Sequence, residues 1–325
     1  MSAHFLLTAA SRGFGLLQIM AMSDAEVVDF CSRAKWPDTQ GAAVCPWCNM
    51  PGTGPDARRR YKCKWCRRHF TLTSGTALHG AKLSLRQLIL AVFIWAGSVK
   101  GTSALQVARL LNVQHRTAYI LCHKLRYGLL IECAGRKIGG DGKECAMDGV
   151  YTGGHVRPAN YRKNRRDRRL ARNRSDKRQV VTIARELGDD GRTILNVAPT
   201  EAGSVKHLAR YILPGTTIHV DEAASWNDLD KSYEVLRINH QEAYSHAGAC
   251  TNAAESLFSR YRKLERGQHH HIAGPYLQRY AVEVAFREDH RRLSQLELTM
   301  LILHLALTCG PDPAFKSGGA KAPVR

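Results

Sequence analysis

Four cysteines are spaced for metal chemistry. Cys45-x2-Cys48 and Cys63-x2-Cys66 are two short knuckles with fourteen residues between them. Each C-x2-C sets two sulfurs on one tight turn, and a structural zinc ion takes four thiolates in a tetrahedron. The intervening stretch carries Pro51, Gly52, Gly54 and Pro55, then Arg58, Arg59, Arg60 and Tyr61. It is too short and too polar to bury a core, so one structural Zn²⁺ would supply its folding free energy. Cys31, Cys122, Cys133, Cys145, Cys250 and Cys309 follow no such pattern and read as reduced, mostly buried thiols.

A second set of residues is acidic. Asp148 lies inside Ala146-Met147-Asp148-Gly149-Val150, an apolar run of strand character, where a charge is costly unless something compensates it. Asp221 ends Ile218-His219-Val220-Asp221, and Glu255, 34 residues later, lies on a helix begun at Thr251-Asn252. If the two strands are neighbours, Asp148 and Asp221 face each other and Glu255 reaches them from the helix. Three hard oxygen donors so placed would bind Mg²⁺, and two ions roughly 4 Å apart suit phosphoryl transfer. One ion would activate a water or a 3′-hydroxyl and the other would stabilise the leaving oxygen; Mn²⁺ could substitute. Spacing alone leaves another reading open, because aspartates at strand ends also serve as helix N-caps.

The elements that must carry these residues follow from periodicity. Phe70-Thr71-Leu72-Thr73 reads as the last strand of a zinc ribbon, and Ser84 caps a helix carrying Leu85 to Trp95. Gly101-Thr102-Ser103 breaks it. A short helix with Leu105 to Leu111, a turn at Asn112-Val113 and a helix from about His115 to Arg126 make a helix-turn-helix pattern. Its second helix bears Gln114, His115, Arg116, Thr117, Tyr119, His123, Lys124 and Arg126; an ordinary helical hairpin is the alternative. From Cys145 the period becomes two: residues 145–151, 179–187 and 191–198 read as strands, the latter pair joined by Gly188-Asp189-Asp190-Gly191. A helix opened by Thr200 and reaching Ile212, strands at 216–221 and 235–238, and helices near 251–265, 275–289 and 294–308 complete the chain.

The expected class is therefore α/β (α+β), an RNase H-like domain of mixed sheet and flanking helices preceded by a zinc ribbon and a helix-turn-helix. Residues 1–40 read as an N-terminal extension and helix, 41–80 as the ribbon and 81–128 as the helix-turn-helix. Residues 143–292 read as the RNase H-like domain and 293–325 as a C-terminal helix and tail. Ser23-Asp24-Ala25-Glu26 reads as a helix start, so Met20 and Met22 are alternative starts and the leading twenty residues an over-long one.

Length and charge narrow the partners. At 325 residues and 36.2 kDa, with 44% hydrophobic residues, the chain can build more than one core and is not a disordered protein. The formal charge is +20. Residues 45–127 hold +13 and residues 157–178 hold +9, whereas residues 179–325 are balanced. Charge concentrated in blocks points to double-stranded DNA, with Arg165, Arg166, Arg168 and Arg169 of the second block tracking phosphates. A solvated basic loop is the plain alternative for that block. His269, His270 and His271 are poor Mg²⁺ ligands and read as structural or DNA-contacting. No apolar run is long enough for a transmembrane helix, and neither a membrane nor a secretory leader is expected; a cytoplasmic protein is.

Several motifs in order carry a resemblance. They begin with Trp36-Pro37, Cys45-Pro46-Trp47-Cys48, Phe70 to Thr76 and Ser103 to Leu111. Met147 to Gly154, His219-Val220-Asp221-Glu222, Thr251 to Ser256, His270-His271 and Tyr280 to Arg287 follow. Over about residues 30–292 the chain resembles bacterial insertion-sequence transposases with an N-terminal zinc ribbon and an ISXO2-like DDE domain. The resemblance implies an RNase H-like fold, an enzyme of DNA cleavage and strand transfer acting on element terminal repeats and target DNA, a homo-oligomer on DNA, and Asp148, Asp221 and Glu255 as the metal-binding acids. It also shows two departures: Gly149 stands where the family often has an acid, and Arg262 where it tends to have a lysine seven residues after the third acid. A non-catalytic zinc-ribbon regulator with a degenerate nuclease domain is the rival reading, and a nuclease without strand transfer a third.

Overall fold

The computed structural model describes residues 5–153, 159–166, 178–188, 190–238, 245–246 and 249–318. They divide into two units, one of residues 1–132 with 290–325 and one of residues 133–289.

In the first unit local sequence sets the helix ends. α1 (Leu16–Ala21) is followed by α2 (Asp24–Lys35), whose cap Ser23 accepts the Glu26 N–H while the Glu26 carboxylate accepts the Ser23 N–H. The same reciprocal pair starts α3 (Leu85–Gly97) at Ser84 and Gln87. It also starts α9 (Gln295–Thr308) at Ser294 and Glu297. The ribbon hairpin is β1 (Tyr61–Lys62) antiparallel to β2 (His69–Phe70). The strand expected over 70–73 stops at Phe70, because the Ser74 hydroxyl accepts the Thr71 N–H and turns the chain. α4 (Ala104–Leu111) ends at Asn112 with a left-handed φ of 50°, and α5 (His115–Cys133) follows.

α5 runs past the expected end at Arg126 because Gly128 is not a breaker there: it lets the backbone of Leu305 on α9 approach closely. The closing helix thus packs with the N-terminal ones. Gln295 donates to the Phe93 carbonyl and His304 Nδ1 meets the Ala34 carbonyl at 2.7 Å. Phe14 and Ile19, in the stretch set aside as leading residues, are buried, with Phe14 stacked on Phe30 at 5.7 Å.

The second unit centres on a five-stranded sheet of order β6-β5-β4-β8-β9. β4 (Glu144–Gly153), β5 (Arg178–Glu186) and β6 (Thr193–Ala198) are antiparallel neighbours; β8 (Thr217–Asp221) runs parallel to β4, and β9 (Glu234–Ile238) parallel to β8. Two short pairs accompany it: β3 (Ile138–Gly139) with β7 (Ile212–Leu213), and β10 (Ser245–His246) with β11 (Ala249–Cys250). α6 (Glu201–Leu208) covers one face, packing Val205 and Leu208 on Cys145, Met147, Ile218 and Val220. α7 (Asn252–Leu264) and α8 (Leu277–Asp289) cover the other, with Phe258, Tyr261 and Ala281 against Ala146, Val150 and Ile183. The helix expected to continue to Ile212 ends at Leu208, since Ile212 is taken into the β3–β7 pair. Asp189 of the hairpin loop lies outside the described residues, as does most of the basic segment 157–178. A mixed α/β unit with its sheet between helices is what the alternation of periods predicts. Among the described residues no helix is long and apolar enough to cross a membrane.

Candidate metal centre and candidate active site

The two knuckles fold back on one another. The Sγ atoms of Cys45, Cys48, Cys63 and Cys66 all lie within 4.8 Å of one another, Cys45 to Cys66 at 3.7 Å and Cys48 to Cys63 at 3.4 Å. Zn–S bonds of about 2.3 Å put the sulfurs of a tetrahedral site about 3.8 Å apart, so this shell fits zinc. Burial pushes the Cys63 thiol up, but the N–H groups of Cys66 and Trp65, each 3.3 Å from its sulfur, together with the neighbouring Cys48 and Cys66 thiols, bring it down to about 6, while the Cys48 thiol is pushed up in turn. A thiol held towards thiolate is a metal ligand in waiting.

The acids come together where β8 ends beside the middle of β4. In the β4–β8 ladder Ala146 is paired with His219. Two residues further on each strand, at the same level and on the same face, stand Asp148 and Asp221. The Asp148 carboxylate accepts the Gly149 N–H at 2.7 Å. Asp221 Oδ1 accepts the Ala223 N–H at 3.0 Å and the indole N–H of Trp226 at 2.5 Å, so a side chain buried in the core fixes its orientation. Glu255 lies on α7 between Ala254 and Leu257, which are anchored in the core beneath it.

The charges of Asp221, Glu255 and Glu201 reach Asp148. Burial raises its carboxyl most, the Gly149 N–H opposes this, and the three carboxylates add to it, taking Asp148 to about 7. A carboxyl so loaded is a place where a cation would be welcome. The acids stand further apart than the cysteines: among the described residues, only the four cysteines form a group of three or more ligands within 4.8 Å of one another.

Glu201 is the acid that sequence reading missed. It opens α6 behind the cap Thr200, its Oε2 accepts the Ser225 hydroxyl at 2.8 Å, and burial with the Asp221 charge raises its carboxyl against that bond. A Cβ on Gly149 would overlap Glu201 Oε1. The space beside Asp148 that a side chain at 149 would take is therefore filled by a carboxylate from another element. The available signals were the bare Gly149 next to Asp148 and an acid just beyond the β6 end.

His219 ties the site's elements together. Its Nδ1 accepts the Cys250 N–H at 3.1 Å and its Nε2 lies 3.0 Å from Glu144, a pattern that puts the ring proton on Nε2. The bond to Cys250 holds the chain two residues ahead of α7, and so the start of the helix that carries Glu255.

The basic residues fare differently. Arg262 is exposed, two helical turns beyond Glu255 on the same side of α7. Arg116 is exposed in the first turn of α5. Arg165 and Arg166 are exposed, with Arg165 bonded to the carbonyls of Ala159 and Asn160; Arg168 and Arg169 lie outside the described residues. Lys124 and Arg126, expected on the DNA-facing side, are buried instead. Lys124 donates to the His79 carbonyl at 3.0 Å, and the Arg126 guanidinium lies 5.9 Å from the Trp95 ring. Phe315 stacks on His123 and meets Tyr119 edge-on, so the C-terminal segment covers that side of α5. His269 packs on Tyr280, its ring 4.7 Å away.

Residues 140–289 match the family model of the ISXO2-like transposase domain. No curated protein and no solved structure matches the chain.

Proposed function

We propose that residues 140–289, which match the ISXO2-like transposase domain, are catalytic: a DDE transposase of RNase H-like fold that cleaves DNA at insertion-sequence ends and joins it to target DNA. The observation that carries this is the meeting of Asp148 and Asp221 on adjacent parallel strands, with the charges of Glu255 and Glu201 loading the same carboxyl. The strand order, with three antiparallel strands and two parallel ones about a central β4, supports the fold assignment.

Asp148, Asp221 and Glu255 would hold Mg²⁺, or Mn²⁺ in its place, as oxygen donors on rigid elements. Bound there, the divalent ions supply charge neutralisation at the scissile phosphate and a lowered pKa for the attacking hydroxyl. The protein's own part is positional. Trp226 and the Ala223 N–H fix Asp221, the Gly149 N–H fixes Asp148, and Ser225 fixes Glu201 beside them. Arg262 would clamp a phosphate oxygen on the α7 side, its fork offering two donors where a lysine offers a point charge. The oxygen of water, or of a 3′-hydroxyl in transfer, forms the new bond to phosphorus and the bridging 3′-oxygen leaves. Arg116 on α5, with Arg165, Arg166, Arg168 and Arg169, would contact the DNA of the terminal repeats and target, with a homo-oligomer bringing two ends together. A DNA-binding regulator needs no acids gathered around a buried Asp148 from two strands and two helices, so the catalytic reading is preferred.

The test is cleavage and strand transfer of DNA carrying the element's own ends, with the parent and with Asp148→Asn, Asp221→Asn and Glu255→Gln. Each variant should lose orders of magnitude in rate while still binding the ends. Parental cleavage by Asp148→Asn would overturn the assignment.

A further inference from the structure

The chain has five tryptophans, and two do not behave like core residues. Trp36, Trp95 and Trp226 are buried, whereas Trp47 is 48% and Trp65 74% exposed. These two occupy corresponding places, each one residue before the second cysteine of its knuckle. Trp47 meets Phe70 edge-on at 6.2 Å, which anchors the ring, and the Arg68 guanidinium lies over it at 5.7 Å, so a base stacking there would share the ring with that arginine or displace it. Trp65 is held at its backbone, whose N–H donates to Cys63 Sγ at 3.3 Å.

The surroundings are cationic. Residues 57–69 contain seven arginines and lysines and no acid. Arg59 pairs with Asp24 and Arg60 with Asp56. Lys62, Lys64, Arg67 and Arg68 alternate with Trp65 along the hairpin and are all exposed. Exposed rings among cations, on a backbone that a closed metal shell would hold rigid, make a stacking platform with phosphate contacts at its edge. A duplex buries its base faces in the stack and offers only edges and phosphates. An indole face has its match in an unpaired base.

We propose that the two knuckles form a binding site for unpaired DNA bases, with Trp65 and Trp47 stacking on successive bases and Lys62, Lys64, Arg67 and Arg68 holding the flanking phosphates. This rests on the reading that the protein acts on DNA, and adds that it engages strands opened at the reacting ends.

The experiment uses full-length zinc-loaded protein, a labelled 20-nucleotide oligothymidylate and a 20-base-pair duplex, each titrated across a salt series. Trp65→Ala should weaken oligothymidylate binding on the order of 10-fold, the loss of one stacked base. It should leave the slope against salt unchanged, since no phosphate contact is lost, and leave duplex affinity within about twofold. Trp65→Phe should restore most of the loss. Oligothymidylate should also quench part of the tryptophan fluorescence, and Trp65→Ala should remove part of that quenching, because stacking reaches the exposed Trp47 and Trp65 and not the three buried rings. Zinc content of one per chain checks that each variant keeps its ribbon. Equal loss on both DNAs, no loss on either, or a change in self-association with oligothymidylate binding intact would overturn the proposal. Cleavage that still depends on Asp148 would then leave the catalytic reading standing, whereas failure of that reading would show in the Asp148→Asn assay alone.

Discussion

Replacing Asp148 by asparagine should make the metal-free protein more stable, not less. The carboxyl is raised from 3.8 to about 7 by burial and by the charges of Asp221, Glu255 and Glu201. At about 1.4 kcal/mol per pH unit this is a ceiling of about 4 kcal/mol against the charged form, and partial solvent access brings the expected cost to about 2 kcal/mol. Because the folded-state value lies above the unfolded one, the native protein binds more protons between about pH 4 and pH 7. Its stability therefore falls as pH rises through that window, and the full penalty is present above it. The substituted amide carries no charge, and its oxygen can still accept the Gly149 N–H. In chelator at pH 8, Asp148→Asn should melt higher than the parent by roughly 4–8 °C for about 2 kcal/mol, and at pH 4 the two should converge. Adding Mg²⁺ at pH 8 should raise the parent, by about 2.7 kcal/mol at a hundred times the dissociation constant, and move the variant little. Thermal melts followed by circular dichroism across pH, with and without Mg²⁺, measure all of this. A variant that melts below the parent at pH 8, or that keeps the parent's pH slope, would refute the view of Asp148 as a carboxyl loaded by its neighbours.

Gly149→Ala should fold, since the obstacle is the far end of the flexible Glu201 side chain, but it should displace that carboxylate and cut cleavage roughly 10-fold; unchanged cleavage would remove Glu201 from the site. Purified protein should hold one zinc per chain, and Cys45→Ser with Cys63→Ser should lose it and leave the ribbon sensitive to proteolysis, because the metal's binding energy is its folding energy. Arg116→Ala should weaken duplex binding and flatten its salt dependence by about one unit of slope without lowering the melting temperature. Arg126→Ala should do the reverse, losing about 2–4 kcal/mol of stability from a buried site against Trp95. His219→Ala should lower cleavage more than DNA binding, since it frees the Cys250 N–H that sets the start of α7.

What could be read from the sequence is what depends on neighbours along the chain. The knuckle spacing points to zinc because four thiols fall within a few residues of two turns, and Ser23 and Ser84 mark helix starts because a cap and its third residue complete each other locally. Asp148 could be singled out as an acid inside an apolar strand and Asp221 as one ending such a strand, yet their adjacency is a matter of register between strands some seventy residues apart. Glu201 went unread for a related reason: its signals, the bare Gly149 and an acid just past β6, do not say that the acid fills the space above the glycine. Lys124 and Arg126 misled because helical periodicity says which residues share a side of α5 but not what covers it, and what covers it comes from Trp95, His79 and the segment at Phe315. Net charge likewise overstates the exposed cationic surface of 81–127. A block of +7 without an acid looks uniformly available, but Lys124 and Arg126 are spent inside the unit, and the exposed cations of the hairpin at 61–70 stand beside the exposed Trp65 and the half-exposed Trp47 instead. Phosphate affinity and a platform for bases would then come from the same turns, while three of the four gathered acids, Glu201, Asp221 and Glu255, fall in the balanced stretch 179–325 and Asp148 lies just ahead of the basic block at 157–178.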